Sequence, residues 1–169
     1  MGAERSVLVY CASSRACDAV YHDVARRLGT LLAQAGWTVV YGGGGAGSMG
    51  ALADGALAVG GRIVGVIPKF MVDLEWGHDD LTELHVVEDM RTRKHEMLTR
   101  ATAVVALPGG TGTLEELFEA ITLKWLGLYL GPIVVVNTRG YYDPLLAQLG
   151  SAIGERFMDE RHASMWTVV

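Results

Sequence analysis

Apolar positions along the chain change period several times. Val7-Leu8-Val9-Tyr10-Cys11 is an unbroken apolar run of strand length, followed by Ser13-Ser14. From Asp18, apolar residues recur at Val20, Val24, Leu28, Leu31, Leu32 and Ala35, the helical spacing, and Gly36 supplies a stop. Trp37 to Tyr41 reads as a second strand that runs into glycines, and a helix of small residues follows from about Ser48 to Val59. Arg62 to Ile67 is a third strand, stopped by Pro68, and residues 68–87 carry at most one weak strand, Leu84 to Val87. A helix starting at Glu88 or Asp89 reaches about Arg100 and leads into a strand over Ala103 to Leu107. A long helix then runs to about Tyr129, with a strand over Ile133 to Asn137 and a helix over Pro144 to Ile153 behind it. The tail beyond Ile153 has no readable pattern.

The strands are continuous apolar runs rather than alternating ones, as expected when helices cover both faces of a parallel sheet. The prediction is an α/β fold: a single Rossmann-like domain over residues 1–169, its core at about 6–154. Right-handed crossovers place its loops at the carboxyl edge of the sheet, where such folds bind ligands.

A chain of 169 residues is of single-domain size. Half of it is hydrophobic and a fifth charged, which is globular composition. Glycine is the outlier, 22 residues against roughly 12 at average usage, and the excess is clustered in loops. The net charge of −5 argues against a nucleic-acid partner. No apolar run approaches the ~20 residues of a membrane helix, so no membrane association is expected. Met1 to Ser6 fits the N-myristoylation pattern only on paper, because a strand begins at Ser6 or Val7. Cys11 and Cys17 form no CxxC pair and no His/Cys cluster, which predicts reduced thiols in a cytoplasmic protein.

Gly42, Gly44 and Gly47 spell GxGxxG between a strand and a helix, a context in which backbone N–H groups can approach a phosphate. The dinucleotide version also wants a carboxylate near the end of the next strand. Here that strand ends Val66-Ile67-Pro68-Lys69, with no carboxylate, so a dinucleotide site is disfavoured and glycines serving only tight packing remain an open alternative. Ala46-Gly47-Ser48-Met49-Gly50 approximates a nucleophile elbow but has Ala at its first glycine. No GK[ST] follows a glycine loop, and the five histidines lack metal-ligand spacing, so no metal is expected.

Pro108-Gly109-Gly110-Thr111-Gly112-Thr113 follows a buried strand and opens an amphipathic helix. Its glycines permit close backbone approach, its two threonines offer hydroxyls, and the helix start supplies positive potential for a phosphate. Leu114, Leu117, Phe118, Ile121 and Trp125 fall on one stripe. Glu115 and Glu116 lie off it, where they serve the helix dipole and stay ionised, or serve chemistry. In Asp89 to Met97, wound as a helix, Met90, Lys94 and Met97 share a face with Arg93 at its side. These cations border the apolar stripe, either snorkelling from it or facing an anion in a cleft.

Pro108 to Glu116 matches PGGxGTxxE, and the chain here resembles the LOG family, cytokinin riboside 5′-monophosphate phosphoribohydrolases once misnamed lysine decarboxylases. Asp89-Met90-Arg91-Thr92-Arg93-Lys94 is similar to that family's M-x-x-R-K element, and Tyr41-Gly42-Gly43-Gly44 and Ile67-Pro68-Lys69 also match, in order from Val7 to about Tyr142. Departures are Ala12 where the family has Gly, Arg91 where His is common, and Gly45, Ala46 and Ser48 in the first glycine loop.

The resemblance implies hydrolysis of the N-glycosidic bond of cytokinin riboside 5′-monophosphates or AMP, without a cofactor, giving free base and ribose 5-phosphate. It assigns Glu116 to the attacking water, Glu115 to the ribose and Arg93 to the essential arginine, with Lys94 as its charged neighbour. Gly109, Gly110, Thr111, Gly112 and Thr113 fall to the 5′-phosphate loop. Glu75 and Thr122 fall to the pocket, along with Ser14, Gly43 and Gly44. Developing oxocarbenium character on the sugar suits neighbouring carboxylates. Lysine decarboxylation would need a buried lysine holding pyridoxal phosphate, and Lys69, Lys94 and Lys124 offer no such setting. Leu123, Leu126, Leu128, Tyr129 and Leu130 make the end of the long helix apolar on several sides, which with the resemblance implies a homodimer with sites near the interface. A non-catalytic carrier of a nucleotide or of molybdenum cofactor is the alternative, since such carriers resemble LOG proteins in fold and glycine loops.

Overall fold

The computed structural model describes residues 5–74 and 76–169. Glu75 and the first four positions of the myristoylation-like segment lie outside the described residues. The strands are β1 (Ser6–Tyr10), β2 (Thr38–Tyr41), β3 (Ile63–Pro68), β4 (Glu83–Val87), β5 (Ala103–Ala106), β6 (Ile133–Val135) and β7 (Thr167–Val168). The helices are α1 (Ala19–Gln34), α2 (Gly47–Leu57), α3 (Lys69–Asp73), α4 (Met90–Thr99), α5 (Thr111–Trp125) and α6 (Asp143–Gly154).

All seven strands pair in parallel, in the order β4-β3-β2-β1-β5-β6-β7. Alternate residues of each strand enter opposite cores. Val7, Val9, Val39 and Ile63 meet the helix pair α1 and α2, while Leu8, Tyr10, Val40 and Val64 share a cluster with Met97, Leu117 and Ile121. The sheet is therefore covered on both sides, as its unbroken apolar strands require. The helices α1 and α2 touch through glycine, since a Cβ on Gly55 would fall on the Arg26 carbonyl oxygen. The chain winds outward from β1 through β4 and then returns to β5 on the other side. The switch point between β1 and β5 opens a crevice at the carboxyl edge.

Three elements depart from the sequence reading. The five-residue α3 has no buried residue, so no apolar stripe announces it. The long helix stops at Trp125 rather than Tyr129, because Gly127 takes φ +73°. Leu128 N–H then donates to Leu123 O at 2.9 Å and Gly127 N–H to Lys124 O at 3.1 Å, the Schellman pattern. The unpatterned tail adds β7 to the sheet edge, and His162 stacks on Trp125 with ring centroids 3.6 Å apart. No helix among the described residues is long and apolar enough to cross a membrane.

Candidate active site

A cavity of about 1020 Å³ fills the crevice. It is floored by the loop after β1 (Cys11 to Arg15), bounded on the β5 side by Gly110 to Thr113, and bounded on the β2 side by Gly42, Gly44, Gly45 and Ala46. Its volume suits a small organic ligand of nucleotide size.

On the β5 side the chain leaves the sheet through buried Pro108 and Gly109 and enters α5 with Gly110 at the cap position and no side chain bonded to the helix start. Cationic potential and free amide donors are therefore directed into the crevice. Thr113 is buried and lies against Gly109, where a Cβ would collide with its side chain.

Arg93 is buried deeper than the edge-of-core position expected for it, at 5% exposed. The helix α4 turns Arg93 and Met97, one turn apart, toward the sheet. At the carboxyl edge the guanidinium finds carbonyls: Nε donates to Val66 O at 3.0 Å and Nη2 to Gly42 O at 2.6 Å. Among the described residues Nη1 has only the weak acceptor Met90 Sδ at 3.7 Å, and Arg93 lines the cavity. Two strand ends are thus tied together by a cation whose burial alone lowers its pKa.

Glu116 is also buried, at 8% exposed, on the inward face of α5 with Thr113, Leu117 and Ala120. The dipole stabilisation that predicts an ionised side chain at neutral pH is opposed here by burial. Burial pushes its pKa up to about 7, and the Arg93 charge offsets this only in part. Glu115, by contrast, is 62% exposed, and Lys94 Nζ bonds its Oε1 at 2.7 Å and Glu119 Oε2 at 2.8 Å. Those carboxylates raise the Lys94 pKa.

The cavity thus gathers Arg93, Glu115, Glu116, Gly110, Thr111, Gly112, Thr113, Ser14 and Gly44. Lys94 stands behind the wall and reaches it through Glu115. Gly109 is beneath the loop, and Gly43 is buried under Ile67 and Leu84 with φ +75°. Thr122 is exposed and outside the cavity; nine residues after Thr113, it is half a turn out of phase on α5. Sequence reasoning did not single out Trp76, His78, Asp79 or Asp80, which line the far wall. They reach it because Gly77 bridges Gly44 in an antiparallel pair, a contact between loops that no periodicity announces.

A family model described as "Possible lysine decarboxylase" matches residues 49–169. A cytokinin riboside 5′-monophosphate phosphoribohydrolase of Rhodococcoides fascians is 44% identical over 155 residues, spanning 91% of this chain and 78% of that one. The enzyme of the same name from Mycobacterium tuberculosis is 45% identical over 148 residues, 88% of this chain and 79% of its own. The chain belongs to this LOG family. Among solved structures, the molybdenum cofactor binding protein of Rippkaea orientalis superposes with a TM-score of 0.76 over all of this chain and 91% of its own, at 21% identity, which shows the shared fold alone.

The decarboxylase description does not fit this LOG chain's residues. A pyridoxal phosphate site needs a lysine in the cavity, and none lines it. Lys69 pairs with Asp73 on the surface and Lys94 with Glu115 and Glu119. Among the described residues no three His, Cys, Asp or Glu side chains gather in a way that could hold a metal ion.

Proposed function

We propose that this LOG protein hydrolyses the N-glycosidic bond of nucleoside 5′-monophosphates, cytokinin ribosides and AMP among them, releasing free base and ribose 5-phosphate. The observation that carries this reading is the presence in one cavity of a buried carboxylate, Glu116, and a buried guanidinium, Arg93, beside an uncapped helix start. A carrier needs phosphate donors but has no use for an anion next to the sugar.

The 5′-phosphate takes the amides and hydroxyls of Gly110 to Thr113. The ribose then falls beside Glu115 and Glu116. As the C1′–N9 bond breaks, its electron pair leaves with the base and positive charge grows on C1′ and the ring oxygen. An ionised Glu116 stabilises that charge and accepts a proton from the water attacking C1′, and that proton is passed on, directly or through solvent, to the departing base, which carries the bond's electron pair. With a pKa of about 7 it is a stronger base than an ordinary carboxylate, yet is ionised in about half the molecules at neutral pH. Arg93 holds the loops around the sugar, and its Nη1, bonded only to the weak acceptor Met90 Sδ among the described residues, is available to the ligand. Ile67, Met71, Met90 and Trp76 give the cavity an apolar side suited to a flat base and an apolar substituent on it. A homodimer in the cytoplasm belongs to the same reading; exposed Leu126, Leu128 and Leu130 supply the apolar surface.

The test is incubation with isopentenyladenosine 5′-monophosphate and with AMP, followed by chromatography for free base. Release that disappears in both Glu116→Gln and Arg93→Ala is expected. Tight binding of the nucleotide without release would overturn hydrolysis in favour of a carrier.

A further inference from the structure

The far wall of the cavity is a strap, residues 76–80, that is not part of the sheet. It lies across the first glycine loop as a single bridge: Gly45 N–H donates to Trp76 O at 3.0 Å and His78 N–H to Gly43 O at 3.0 Å, with Gly44 opposite Gly77. Trp76 is 56% exposed, so its own burial does little to hold the strap.

His78 is the best-anchored side chain in the strap. Its side chain is 10% exposed, Nε2 lies 3.1 Å from Asp54 Oδ1 on α2, and Nδ1 accepts from Asp80 N–H at 3.1 Å. The Asp80 amide can only donate, so Nδ1 carries no proton and Nε2–H must donate to Asp54. Asp54 is itself held by Arg26 of α1, Nη2 to Oδ2 at 3.3 Å. A chain of polar contacts therefore runs from α1 through α2 and one imidazole to the Asp80 end of the strap.

We propose that His78 is a positioning residue for base recognition: it fixes the strap so that Trp76, Asp79 and Asp80 form the wall that receives the ligand's base. Neighbouring parallel strands are about 4.8 Å apart, so the strap, seated on the loop after β2, is roughly 10 Å from the β5 loop across two spacings. That matches a nucleotide laid across the switch point, its phosphate on Gly110 to Thr113 and its base at the strap. This inference rests on a nucleotide being the ligand but not on its hydrolysis.

The experiment uses two ligands that cannot be turned over: formycin 5′-monophosphate, whose base is joined by a carbon–carbon bond, and ribose 5-phosphate, which has no base. Calorimetric titration of His78→Ala is expected to lose about tenfold in affinity for formycin 5′-monophosphate, as removal of two hydrogen bonds that fix the strap implies, with ribose 5-phosphate unchanged within twofold. Amide exchange at Gly45, His78 and Asp80 should accelerate in the same variant. His78→Gln, which keeps a donor toward Asp54, and His78→Asn, which keeps an acceptor toward Asp80, should each recover part of the loss. Equal losses for both ligands, no loss for either, unchanged amide exchange, or a wild type that binds neither ligand would each overturn the proposal. A base-selective loss in a protein that releases no base from any nucleotide would sustain His78's role and refute the hydrolase reading.

Discussion

The Arg93 guanidinium occupies the space above Gly42 that any larger residue would need. Its Nη2 donates to the Gly42 carbonyl at 2.6 Å, and a Cβ built on Gly42 would fall on that same nitrogen. The first glycine loop is thus shaped around the arginine, in addition to any approach it makes to a phosphate. Both uses suit glycine, which explains why the sequence alone left packing open beside ligand binding.

Gly42→Ala should therefore behave like a lesion in Arg93. Forcing the guanidinium off its carbonyls leaves a buried charge short of partners, a loss of about 3 kcal/mol, or roughly 6–12 °C in Tm for a chain of this size. Thermal unfolding measures the loss, and base release should fall as far as in Arg93→Ala. A Gly42→Ala protein with wild-type Tm and turnover would show that the arginine does not need this space.

Glu116 predicts opposite pH trends for stability and activity. Its folded pKa of about 7 lies above the ordinary 4.5, because burial penalises the charge more than Arg93 relieves it. Between those values the folded protein keeps a proton that the unfolded chain has released. Stability from this group is complete below about pH 4.5 and falls as pH rises through about 7, by about 3 kcal/mol in total. Glu116→Gln should thus unfold like wild type near pH 4.5 and be more stable than wild type by up to that amount at pH 8. Activity of the wild type should rise along an acid limb near pH 7 and be absent in the variant. Parallel denaturant titrations at pH 4.5 and 8 decide the matter, and an identical gap at both would refute the raised pKa.

The sheet was legible because β1, β2, β3, β5 and β6 are apolar runs, a pattern that a parallel sheet covered on both faces imposes; β4, with Glu83 and His85 in it, read only weakly. The phosphate loop was legible because glycines and threonines cluster before a helix stripe. Glu116 was harder. It was placed off the stripe drawn through Phe118 and Trp125, yet Phe118 is 38% exposed and the buried face instead runs through Thr113, Leu117, Ala120 and Ile121. A shift of one position in the stripe turns a surface carboxylate into a buried one. The strap and β7 were illegible for another reason: both are held by contacts distant in sequence, at Gly44 and at Val134 and Val135, and neither is long enough to show a period.

Lys94 should matter more to turnover than to folding. Its partner Glu115 is 62% exposed, and ion pairs of that kind contribute at most about 1 kcal/mol. Lys94→Ala should shift Tm by no more than a few degrees while releasing Glu115 from its position at the cavity. A fall in kcat/KM of roughly tenfold or more, equivalent to about 1.4 kcal/mol in the transition state, is the expected outcome. Equal turnover in the variant would mean that Glu115 needs no orientation.

The turn after α5 makes the dimer testable apart from catalysis. The helix was expected to carry its leucines onward to Tyr129, but Gly127 ends it, and Leu126, Leu128 and Leu130 project into solvent at 61%, 73% and 86% exposed while Tyr129 is buried between them. Three exposed leucines in five residues form the kind of apolar surface that a partner covers. Because Leu128 and Leu130 contribute little to this chain's own core, replacing both with Asp should change the unfolding free energy by less than about 1 kcal/mol. The same change buries charge in the proposed interface, so sedimentation at micromolar concentration should show a wild-type dimer and a monomeric double variant. A wild type that sediments as a monomer, or a double variant that still dimerises, would place the contact elsewhere or remove it.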